Sequence, residues 1–213
     1  MSADEREFKF TWPSEDEIKS WWNWYSMIPL ERTHPCTVGG KIDQNQYSDS
    51  RTQNIFCLSG IGESGGTDPN RKIGIKEGID LLIPIINAAF SRVEFPTLDE
   101  RQLLQQARQE TKVAQNLNLT IDGMAVLTDT NKESLYMETS KPFPLRYPNA
   151  CTRGRNDINA GDYDTVSAGY WCKLSLPRRE RHYTVRFGGS CNIYIDNKIV
   201  PFTTDTTYRV TVN

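Results

Sequence analysis

The stretch Leu117-Asn118-Leu119-Thr120-Ile121-Asp122-Gly123-Met124-Ala125-Val126 is where the chain changes period. Leu117, Leu119 and Ile121 alternate with polar residues, the two-residue repeat that puts every second side chain on one face of a strand. Asp122-Gly123 suits a tight hairpin turn, so the chain is expected to reverse there into Met124 and Val126. The same period returns downstream. Strands are expected near Ser134 to Glu138, Ala168 to Leu176, Tyr183 to Phe187, Asn192 to Ile195 and Thr207 to Val212. Tyr183, Val185 and Phe187 fall on one strand face, as do Tyr208, Val210 and Val212.

Upstream of this switch, Asn54 to Leu58 and a segment around Lys72 to Ile75 are further strand candidates. Leu81 to Ile86 is a continuous apolar run of the kind buried on both faces, and Pro84 inside it predicts a sheet edge or a bulge. Two helices are signalled by capping boxes, in which two side chains satisfy backbone N–H groups at a helix start. Ser14 and Glu17 open one over about 14–28, with Ile18, Trp21, Trp22, Tyr25 and Ile28 on one face and Pro29 as its stop. Thr97 and Glu100 predict the other over about 98–116, with Leu103, Leu104, Ala107, Ala114 and Leu117 on one side. Many short strands with Gly, Pro and Asp punctuation argue for a mainly β fold. The expected form is an antiparallel β-sandwich, jelly-roll-like, with two covering α-helices in one domain spanning 1–213.

Charge narrows the partners. Lys and Arg number 25 against 27 for Asp and Glu, which leaves no bulk positive field for a nucleic-acid backbone. Arg178, Arg179, Arg181 and His182 form a local basic patch beside Pro177, expected to be a solvated hairpin tip. The segment Ile79 to Phe90 is too short and too interrupted to span a bilayer, and the first residues show no signal-peptide pattern. The expectation is therefore a cytoplasmic protein with neither nucleic-acid nor membrane partner, and with a homo-oligomer left open. Cys36, Cys57, Cys151, Cys172 and Cys191 are scattered and form no Cys-x-x-Cys pair, so buried thiols are expected. Cys36 with Cys57 would be a disulfide candidate only in an exported chain.

Several motifs lose on their context. Gly60-Ile61-Gly62-Glu63-Ser64-Gly65 reads as a dinucleotide fingerprint, but turn formers rather than a helix follow it, so a connecting loop from Ser59 to Asn70 is expected. Ile73-Gly74-Ile75-Lys76 has no His-Arg-Asp or Asp-Phe-Gly to accompany it. His34 and His182 are the two histidines, too few for a three-histidine metal site. Asp157, Asn159, Asp162 and Asp164 could offer oxygen ligands to calcium, but their spacing is not that of an EF-hand, and no metal is expected.

The candidate site rests on polar residues attached to apolar segments. Asn87 ends an apolar run where a partly buried amide must find partners. Glu94 lies between Val93 and Phe95, neighbours able to desolvate a carboxylate. Trp24 lies off the apolar stripe of the first helix, where it could stack on a sugar. With Gln46 and Arg71, these residues make up the expected ligand-binding set.

The chain also resembles a family of uncharacterised microbial proteins. The resemblance is carried by Trp21-Trp22-Asn23-Trp24, Ser26-Met27-Ile28-Pro29, Phe56-Cys57-Leu58-Ser59-Gly60 and Ile83-Pro84-Ile85-Ile86-Asn87. It continues through Glu94-Phe95-Pro96, Ile121-Asp122-Gly123, Gly169-Tyr170-Trp171 and His182-Tyr183-Thr184-Val185, in the same order. Lys76-Glu77-Gly78-Ile79 departs from the family's Pro-Ala-Gly-Lys element. The resemblance implies a β-sandwich-like fold and brings no activity with it. Two functions follow from the residues: a binding or structural module recognising a small or glycan-like ligand, or a hydrolase or lyase, metal-free or metal-assisted. The latter would pair Glu63 or Asp80 with Glu94.

Overall fold

A computed structural model describes residues 8–28, 54–60, 66–128, 130–147, 159–177, 181–195 and 198–213. The elements in chain order are β1 (Lys9–Thr11), α1 (Glu15–Met27), β2 (Ile55–Cys57), β3 (Gly66–Ile75), β4 (Asp80–Ser91), α2 (Glu100–Thr111), β5 (Gln115–Ile121) and β6 (Met124–Ala125). One turn of 3-10 helix (Lys132–Leu135) then leads into β7 (Tyr136–Glu138), β8 (Phe143–Tyr147), β9 (Gly161–Ser175), β10 (Arg181–Ile195) and β11 (Lys198–Val212).

The fold is mainly β, with two helices and two sheets. In sheet I the order is β1-β9-β4-β2, with β7 and β8 also paired to β9; in sheet II it is β3-β11-β10-β5-β6. Most pairings are antiparallel, but β2 with β4 and β3 with β11 are parallel, so both sheets are mixed. Leu81, Ile83, Tyr170, Cys172 and Leu174 of sheet I meet Leu119, Tyr183, Val185, Phe187, Tyr208 and Val210 of sheet II in one buried apolar layer. The opposite face of sheet I is covered by α1, whose Ile18, Trp21 and Trp22 pack on Leu82, Phe143, Leu145 and Trp171. Leu103 and Ala107 of α2 pack on Phe90, Val166 and Ala168. Burying each such side chain contributes roughly 1.5–3 kcal/mol.

The first helix starts as expected. Ser14 and Glu17 close the capping box, with the Ser14 N–H donating to Glu17 Oε2 at 2.6 Å. The second starts later. Leu98 N–H donates to Phe95 O, so Thr97 is inside a turn, and Asp99 with Gln102 supplies the box instead. It also ends at Thr111, because the chain needs Gln115 onward for β5. Leu117 therefore belongs to a strand rather than to the helical stripe.

Pro84 sits where the β4–β9 register shifts, between Pro84 and Ile86. Asp122 and Gly123 have φ of 49° and 80°, and Ile121 pairs with Met124 across the turn they form. The loop expected over 59–70 is shorter, since β3 begins at Gly66. The expected strands at Tyr183 to Phe187 and Asn192 to Ile195 are one strand, β10, paired with β11 from Arg181↔Val212 to Ile195↔Lys198. A side chain at Gly188 would sit 2.0 Å from Thr204 O, so close approach of the backbones explains this glycine, not a strand break. Finally, β9 lies in sheet I and β10 in sheet II, so the chain between them crosses from sheet to sheet rather than turning a hairpin. Arg178 and Arg179 of the basic patch, together with the Arg181 side chain, lie outside the described residues. His182 is exposed, with Nδ1 2.9 Å from Thr211 Oγ1.

Candidate functional site

Strand register fixes which side chains share the α1-facing side of sheet I. On β9 they are Thr165, Ser167, Gly169, Trp171, Lys173 and Ser175; opposite them on β4 stand Ser91, Ala89, Asn87, Pro84, Leu82 and Asp80. Alpha-helix α1 lies over this row. Trp22 Nε1 donates to Ser167 Oγ at 2.7 Å, and Lys173 Nζ donates to Glu17 Oε1 at 2.9 Å. Trp21 Nε1 donates to Leu58 O at 2.7 Å, at the β2 side of the sheet.

The cover is incomplete at Asn87, as it is at the end of the sheet around Asp80, Lys173 and Ser175. From Leu81 to Ser91 every residue of β4 is buried except Asn87 and Ala88, and of these two only Asn87 faces α1. Its partner Gly169 has φ of 154°, and a Cβ there would come within 2.5 Å of Asn87 Cα. Only glycine fits, and it places no side chain beside the amide.

Among the described residues, two donors on this face have no acceptor. Asn87 Nδ2 is shielded from solvent without a hydrogen-bond partner, and so is Nε1 of Trp171, a residue with 0% exposure. They stand on adjacent strands, offset by two residues on one face, a diagonal relation of about 7–8 Å between backbones. A buried N–H left unpaired costs on the order of 1–3 kcal/mol. The surrounding rings are apolar: Trp21 and Trp22 meet Trp171 edge-on at centroid distances of 5.3 and 6.4 Å.

The other expected site residues are divided between the two sides of sheet I. Glu94, in the turn after β4, accepts from Ser91 Oγ at 3.2 Å and, at a long 3.4 Å, from Tyr147 Oη. Those bonds tie the turn to β8. Arg71 lies on the inner side, 5% exposed, donating to Ser59 O and to Tyr208 Oη, each at 2.9 Å, with its guanidinium 5.5 Å from the Tyr208 ring centroid. Trp24 is half-buried, packs against both large core clusters and meets Trp21 and Tyr25 edge-on. Gln46 lies outside the described residues. Trp171 and Gly169 were not among the expected site residues; alternation puts the two on one face of β9, but only the β4–β9 pairing sets that face beside Asn87.

The geometry limits the catalytic alternatives. Asp80 opens β4 and accepts from Ser175 Oγ at 2.5 Å, whereas Glu94 follows the strand's far end. A strand of that length spans about 35 Å, so these two carboxylates do not share a cleft. Glu63 lies outside the described residues. Burial pushes the Cys172 thiol up to about 12, and burial together with Glu110 pushes Cys191 up to about 11, which keeps both protonated at neutral pH. Asp162 pairs with Arg146 at 3.2 Å, and among the described residues no three His, Cys, Asp or Glu side chains group as metal ligands. No helix among them is long and apolar enough to cross a membrane. A separate open hollow of about 360 Å³ lies at the α2–β5 corner, lined by residues including Asn116, Leu117, Leu127 and Thr128.

No family model, curated protein or solved structure matches this chain.

Proposed function

We propose that this chain is a ligand-recognition module that takes a small, hydroxyl-rich, glycan-like molecule at Asn87. The observation that carries the reading is the pair of unpartnered N–H donors, Asn87 Nδ2 and Trp171 Nε1, on one face of sheet I. A hydroxyl or ring oxygen supplies the acceptor they lack, and apolar C–H faces suit the tryptophan rings around it. Asn87 is partly exposed in an otherwise buried stretch of β4, which supports reach to the residue, while its Nδ2 is itself shielded until a ligand enters. Repeated passage of the chain between the sheets, as from β9 to β10, supports the jelly-roll-like form of the sandwich.

The test is a saccharide panel titrated against the full chain, followed by tryptophan fluorescence and calorimetry, with Asn87→Leu as the comparison. Binding by the native chain that weakens about tenfold or more in Asn87→Leu, a loss of about 1.4 kcal/mol, supports the reading. Equal binding by both chains overturns it. So does the absence of binding together with greater stability of Asn87→Leu, because the amide would then be only a buried cost.

A further inference from the structure

The solvent face of sheet II carries a second feature, on the far side of the sandwich from Asn87. Parallel pairing of β3 with β11 sets Lys72 directly opposite Arg209, and both side chains are exposed. Like charges in register repel each other, so this pair opposes the sheet it decorates unless an anion joins it. Among the described residues neither cation has a carboxylate partner, whereas Arg186, farther along the same face, is held by Asp205 through Nε at 2.8 Å and a second bond from Nη2. Asp122 accepts from Thr184 N–H at 2.8 Å through Oδ1 and, among the described residues, makes no ion pair with either cation.

Hydroxyl groups surround the two cations. Antiparallel pairing places Thr184 on the other side of Arg209, and Thr211 follows Arg209 on the same face with His182 opposite it. Neighbouring strands lie about 4.8 Å apart, so one tetrahedral group can span an ammonium and a guanidinium at this spacing. We infer that Lys72 and Arg209 form a binding site for a phosphoryl group, with Thr184 and Thr211 as neighbouring hydroxyls. Two full positive charges match the charge of about −1.5 to −2 on a phosphate monoester at neutral pH better than the single charge of a sulfate ester. The neighbours of the pair on this face are Thr184, Thr207, Thr211 and His182, and the exposed His182 imidazole is engaged through Nδ1 with Thr211 Oγ1 at 2.9 Å.

Phenyl phosphate and phenyl sulfate, each titrated into the full chain by calorimetry at matched ionic strength, test this. Lys72→Gln, Arg209→Gln and the remote Lys132→Gln serve as comparisons, with melting curves to check folding. The expected result is phenyl phosphate binding that weakens about tenfold or more in Lys72→Gln and in Arg209→Gln, stays unchanged in Lys132→Gln, and exceeds phenyl sulfate binding. The proposal is overturned by no binding up to about 10 mM, by binding unchanged in the Lys72→Gln/Arg209→Gln double variant, or by equal affinity for the sulfate ester. Because both side chains are exposed, these variants are expected to melt at or above the native temperature in chloride, since each removes a like-charge repulsion.

Discussion

At Thr206 the sandwich holds a hydroxyl that gains nothing from its position. The residue is 0% exposed, its Oγ1 has no hydrogen-bond partner, and it pairs with Phe187 in the core layer. Valine has the same shape without the polar atom, so Thr206→Val is expected to stabilise the fold by about 1 kcal/mol in urea denaturation. Tyr208, two residues on, is the opposite case. Its hydroxyl donates to Ser59 O at 2.7 Å and accepts from Ser59 N–H at 3.1 Å and from Arg71 Nη1. Tyr208→Phe strips all three bonds while preserving the ring, and should cost about 1–3 kcal/mol in the same measurement. An unchanged midpoint would mean that this network does not hold Ser59 in place. Sequence placed Arg71 in the candidate set, between the polar Asn70 and Lys72. It could not show that the guanidinium serves a tyrosine and a backbone carbonyl, because those partners stand 137 and 12 residues away in the chain. Asn87 was legible for a local reason: an amide closing an apolar run is exceptional wherever the run packs.

Among the elements, the β4–β9 pairing depends on a glycine at 169. Its φ of 154° and the 2.5 Å approach to Asn87 Cα both exclude a side chain. Gly169→Ala should destabilise by more than about 2 kcal/mol, from backbone strain plus the displacement of β4. A variant that melts within a degree or two of the native chain would refute this account of the close strand approach at Gly169. The start of α1 was readable because a capping box is purely local; Ser14 and Glu17 need only each other. The bounds of α2 were not. Two capping signals lie two residues apart, at Thr97 and Asp99, and the Leu98-to-Phe95 bond decides between them. Likewise Gly188-Gly189 reads as a strand end in sequence, whereas the partner strand and Leu117 fill the space where side chains would be. Local signals gave element type, while tertiary proximity set element length.

On the scale of the whole molecule, two mixed sheets share one core layer, and the composition that made a sandwich legible could not specify which strands would be neighbours. The parallel β3–β11 pairing joins segments far apart in sequence, and it alone creates the Lys72–Arg209 pair. The same closure governs how stability depends on pH. Burial raises the Tyr136 phenol from 10.0 to about 12 and the Cys172 thiol from 9.0 to about 12. Each group ionises more easily in the unfolded chain, so above its unfolded value the unfolded state binds fewer protons than the native one. Their contribution is fully present below about pH 9 and is lost as pH rises toward about 12. Unfolding free energy measured by urea titration should therefore fall progressively above about pH 9, with an ellipticity midpoint that drops accordingly. Cys172→Ala should flatten the lower part of that decline while costing stability at neutral pH through the space it leaves beside Ile83. A native chain whose stability holds level from pH 8 to about 11 would show that neither group keeps its proton through burial in the folded state.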